Sequence, residues 1–101
     1  MDAGRKMTSA PVEFDGDKVI ATAVVDGTVR PTGVTVHRGP DGVIPSASAL
    51  AIVESETSFY LLYCDREWQV LTDTWHSSVS EARAQAEFEY AGISKVWKDA
   101  V

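Results

Sequence analysis

The stretch FYLLYCDREWQVLTDTWHSSVSEARAQAEFEYAG, residues 59–92, decides the fold, because it holds two extended runs and one helix in unbroken succession. Phe59 to Cys64 is rich in aromatic and aliphatic residues and apolar on both of its alternating faces, as expected of a central strand covered on two sides. Asp65-Arg66-Glu67 turns the chain, and Trp68 to Asp73 returns beside it. Upstream, Leu50 and Ile52 belong to a strand ending at Glu54, with a turn from Ser55 to Ser58, so three antiparallel strands form a meander.

The helix that follows has a start signal and a stop signal. Ser78 is placed to accept from the first-turn amides while Glu81, three residues on, reaches back in a capping box, and Gly92 offers the left-handed residue that ends the helix. The expected span is Val79 to Ala91. At the helical period Val79, Ala82, Ala86, Tyr90 and the following Ile93 share one face, and the small alanines allow close approach to the sheet. Glu81, Arg83, Gln85, Glu87 and Glu89 are assigned to solvated arcs. Phe88 lies off the core stripe, either covered by a chain folding back with Val96 and Trp97 or forming a subunit or partner contact.

In the first half, Asp15-Gly16 separates Val12-Glu13-Phe14 from a β-branched run, Val19 to Val25, which is apolar on both faces and is read as a strand, with a buried helix turn as the alternative. Val34 and Val36 alternate with Thr35 and His37, which predicts a half-buried strand with His37 facing water. Residues 38–47 form the one long loop, with Gly39-Pro40-Asp41-Gly42 as a turn. Residues 1–10 are polar and unpatterned, an expected flexible tail, leaving 11–101 as a single domain. The fold class is α+β: an antiparallel sheet of four to six strands with one main C-terminal helix on one face.

Composition narrows function by exclusion. Fifteen acidic residues against nine basic give a net charge of −6 over 101 residues. Such a surface repels phosphate backbones, so nucleic acid is not an expected partner, whereas a basic protein partner fits. The densest apolar run is six residues, and a spanning helix needs about 20, so no membrane segment is expected. A lone Cys64 without a signal peptide fits a reducing compartment, the cytoplasm by default.

Cys64, Asp73 and His76 are the residue types of a nucleophilic triad, but pairing Cys64 opposite Trp68 would place Asp73 about 17 Å away along the return strand. No catalytic residue, metal ligand or cofactor is assigned, and enzymatic activity is not the favoured expectation. The remaining concentration of hydrogen-bonding groups is the corner Asp73-Thr74-Trp75-His76-Ser77-Ser78, next to the positive end of the helix dipole. Asp73, Trp75, His76 and Ser78, with Phe88, are the candidate binding residues. The structural alternative has Asp73 and His76 satisfying loop amides, with Trp75 as a lid on the core.

Residues 59–97, with their YLLY strand, TDTWH corner, EARAQAEFEY helix and closing Trp97, resemble the C-terminal signature of a family of small uncharacterised bacterial α+β domains. The resemblance implies the fold and carries no activity. Small acidic domains of this kind also resemble, in fold and charge, immunity proteins that neutralise toxins by covering them. The expected function is therefore a protein-interaction module, toxin-neutralising or regulatory, with a homodimer through the Phe88 face as a further contact. A small ligand-binding or enzymatic domain built on the Asp73–Ser78 corner is the alternative.

Overall fold

A computed structural model describes residues 9–100. The expected tail falls almost wholly outside them. In chain order the described elements are β1 (Glu13–Phe14), β2 (Asp17–Val24), β3 (Arg30–Pro31), β4 (Arg38–Gly39), β5 (Gly42–Val43), β6 (Ala49–Ser55), β7 (Ser58–Cys64), β8 (Val70–His76), α1 (Val79–Glu89), β9 (Tyr90–Ala91), a 3₁₀ turn (Ile93–Lys95) and β10 (Lys98–Asp99). The fold is α+β. The main sheet runs β1-β2-β6-β7-β8, all antiparallel, and β10 also pairs with β2.

Local chemistry accounts for these elements. Asp15 and Gly16 both adopt positive φ, 49° and 88°, the geometry that closes a tight hairpin between β1 and β2. Val19 to Val24 lies within β2, and the meander β6-β7-β8 pairs in the expected order. The β7–β8 turn closes on Asp65, whose Oδ1 accepts from the amides of Glu67 and Gln69, both at 2.9 Å. This turn is longer than the sequence suggested: Cys64 pairs with Val70, and Trp68 sits buried in the turn at φ 64°.

The sheet buries side chains on both faces. On one, Leu50, Ile52, Leu61 and Tyr63 pack with Ala82, Ala86, Tyr90 and Ile93 of the helical layer. On the other, Val19, Ala49, Ala51, Val53, Leu62 and Cys64 gather under Trp68, with Phe14 and Tyr60 partly buried at the margin. The helix therefore covers one face, while Trp68 closes only one end of the second.

Four local expectations are corrected. The helix leaves α conformation after Glu89, and Tyr90–Ala91 pairs instead with Arg30–Pro31. Gly92, at φ 94°, opens the 3₁₀ turn rather than closing α1, and a Cβ there would lie 2.8 Å from the Thr28 carbonyl oxygen. The capping box is offset by one residue: Ser78 Oγ accepts from the Glu81 amide at 3.1 Å, but the Glu81 carboxylate takes the amide and hydroxyl of Ser77. Residues 34–37 form no strand; Val34 and Val36 are exposed, and His37 turns inward. The Gly39–Gly42 turn joins the short hairpin β4–β5.

Candidate functional site

Strand β8 extends to His76, so most of the expected corner is a strand whose side chains alternate. Asp73 pairs with Leu62 and Trp75 with Tyr60, on the sheet face away from the helix. Thr74 and His76 pair with Leu61 and Phe59, on the helix face. The structure thus separates Asp73 from His76 and excludes a Cys64-Asp73-His76 triad. Trp75 is no core lid: it is 58% exposed.

On the open face, Tyr60, the cross-strand partner of Trp75, joins Val53 and Leu62 in the floor of a groove of about 410 Å³. Phe14 and Val70 contribute apolar walls, and Asp15, Asp17 and Asp73 line the groove with no Lys or Arg among the lining residues. The Asp73 carboxylate forms no hydrogen bond or ion pair among the described residues. An aromatic surface, an apolar floor and uncompensated carboxylates are the complement of a cationic, partly apolar segment.

On the helix face, a chain of polar contacts is centred on Glu89. Its Oε2 accepts from the Tyr63 hydroxyl at 2.5 Å and from Gln85 Nε2 at 2.6 Å, and its Oε1 meets His37 Nε2 at 2.8 Å. Tyr63 continues to Thr74 Oγ1 at 3.4 Å, and Thr74 to His76 Nε2 at 2.8 Å. The Glu89 side chain is only 4% exposed and ends α1, where the helix dipole disfavours negative charge. Three converging hydrogen-bond partners offset that cost. Burial first, then the hydrogen bond to Glu89, holds the Tyr63 hydroxyl well above the ordinary tyrosine range.

Glu89, Tyr63 and His37 were missed as polar partners in the sequence. The signal was present in part, since Glu89 stands at helical spacing with Ala82, Ala86 and Ile93, on the core stripe rather than a solvated arc. No local pattern announces that His37, 52 positions away, reaches it.

Ser78 serves the helix start, and the Ser77 contacts, its amide first, hold the Glu81 carboxyl below its usual range. His76 is buried and lies 3.8 Å from Glu81 through Nδ1. Phe88 is 58% exposed, not covered by the returning chain: Val96 and Trp97 pack into the helix-side core, and Arg83 lies 5.4 Å over the Trp97 ring. Burial pushes the Cys64 thiol up to about 12, with Asp65 adding a smaller push. Among the described residues no group of three His, Cys, Asp or Glu side chains is arranged to hold a metal, and no helix is long and apolar enough to cross a membrane. No protein-family model matches the chain, and no curated protein or solved structure matches it.

Proposed function

We propose that the chain is a protein-interaction module that uses the open sheet face to bind a basic, extended segment of a partner protein. The observation that carries this reading is Trp75, 58% exposed on a strand position paired with Tyr60, beside a groove whose charged lining residues are all aspartates. Aromatic residues are favoured at interfaces because they contribute large contact area with few rotatable bonds, and the carboxylates supply steering toward a basic partner. In the described structure β8 pairs on one side only, with β7, which leaves an edge for strand addition by the bound segment. A toxin-neutralising protein of the immunity type would use such a surface by occlusion. The ligand-site alternative at the Asp73–Ser78 corner loses support, since Asp73 and His76 occupy opposite faces.

The test is titration with a synthetic peptide alternating lysine or arginine with valine, followed by calorimetry at several salt concentrations. Saturable binding that weakens as salt rises is expected, with Trp75→Ala and Asp73→Asn each lowering affinity about tenfold at a temperature where both proteins remain folded. Salt-independent binding, or binding indifferent to both substitutions, would overturn the reading.

A further inference from the structure

A second cavity, of about 310 Å³, lies between the 31–46 segment and the end of α1, remote in sequence from the groove on the open face. Pro31, Val36, Val43, Ile44 and Pro45 contribute apolar wall, and His37, Glu89 and Tyr90 contribute the titratable groups. The size and lining suit a small molecule rather than a protein segment.

The chemistry of this cavity follows from how Glu89 is saturated. The Tyr63 hydroxyl and the Gln85 amide already donate to Oε2, and His37 Nε2 stands 2.8 Å from Oε1. A carboxylate can only accept, so Nε2 carries the hydrogen in this contact, and in that tautomer Nδ1 is the acceptor nitrogen. Nδ1 has no hydrogen-bond partner among the described residues. The ring is also braced by Tyr63, centroid to centroid 4.6 Å, so its plane is fixed from two sides. A carboxylate behind one imidazole nitrogen orients the ring and fixes its tautomer, as it does behind histidines that bind metals.

We propose that this cavity binds a small neutral molecule with a compact apolar body and a hydroxyl or N–H group, which donates to His37 Nδ1. An anion would lie against the buried Glu89 charge. A cation would lose its water and find the carboxylate oxygens already engaged by three donors. A neutral donor uses the Nδ1 acceptor and leaves its apolar body to the valine, isoleucine and proline walls.

The test uses the intact protein labelled with ¹⁵N and three probes of matched size: phenol, anisole and benzoate. Phenol is expected to shift the His37 ring nitrogens and the amides of 33–46 saturably, with anisole and benzoate about tenfold weaker, the worth of one hydrogen bond at a desolvated site. Val43→Trp, at an exposed position on the cavity wall, fills the space, removes none of the donors to Glu89 and should abolish the shifts while leaving the melting temperature unchanged. Absence of saturable shifts with phenol, equal binding of anisole, or phenol shifts that persist in the Val43→Trp protein would each overturn the proposal.

Discussion

Glu89 is the residue on which the helix-side polar contacts depend. Removing its carboxylate strands the Tyr63 hydroxyl, the Gln85 amide and the His37 ring together, so Glu89→Ala is expected to cost about 3 to 5 kcal/mol in urea unfolding. A loss under about 1 kcal/mol would show that water replaces the carboxylate freely. Cys64 makes a different prediction. Its folded thiol titrates near 12 against an ordinary 9.0, so the unfolded chain releases this proton first as pH rises. Stability from this group is full below pH 9.0 and is lost as pH rises toward about 12, and Cys64→Ala should flatten that part of the alkaline unfolding curve. The sequence revealed that Cys64 is a buried strand residue, because its neighbours are apolar on both faces. It concealed Glu89, because a charged residue on a core stripe is buried only if distant donors arrive, and His37 arrives from a segment without regular structure.

The helix start was legible in the sequence and its end was not. Ser78 has the local chemistry of a cap and performs it, and Ser78→Ala should lower stability by about 1 kcal/mol in thermal or urea unfolding. The end of α1 depends on β3, which draws Tyr90–Ala91 into an extended pairing that no helix signal encodes. Glu87 then bridges the turn, accepting from the amides of Gly92 and Ser94 at 3.0 Å each, and those bonds hold its carboxyl below 4.5. This contribution is present above the unfolded value and fades as pH falls through the lower folded value. Glu87→Gln should accordingly reduce the acid sensitivity of the melting temperature in that window. Strand β8 was half legible. Its polar Thr72, Thr74 and His76 face the helix side because Tyr63 and Glu81 meet that row, and this turns Trp75 outward against the usual rule. Trp75→Ala should therefore cost less than about 1.5 kcal/mol, whereas Trp68→Ala, which removes a buried indole, should cost about 3 to 5 kcal/mol.

For the whole molecule, the sheet's two faces divide the work: one is closed by the helix, and the other is left partly open with its carboxylates outward. The antiparallel sheet and single helix were readable because their signals are local runs and turns, while the exposed face depended on strand parity and on contacts between distant segments. The edge of β2 not taken by β6 is shared end to end by β1 and β10, and the Ala100 amide donates to the Ile20 carbonyl at 2.8 Å while the Val19 amide donates to Val12 at 3.1 Å. The first and last described strands are thus neighbours along one rail. A circular permutant that joins them by a short glycine-serine linker and opens the chain at the exposed Pro40-Asp41 turn should fold with nearly the parent's circular dichroism, because no pairing in the main sheet is cut.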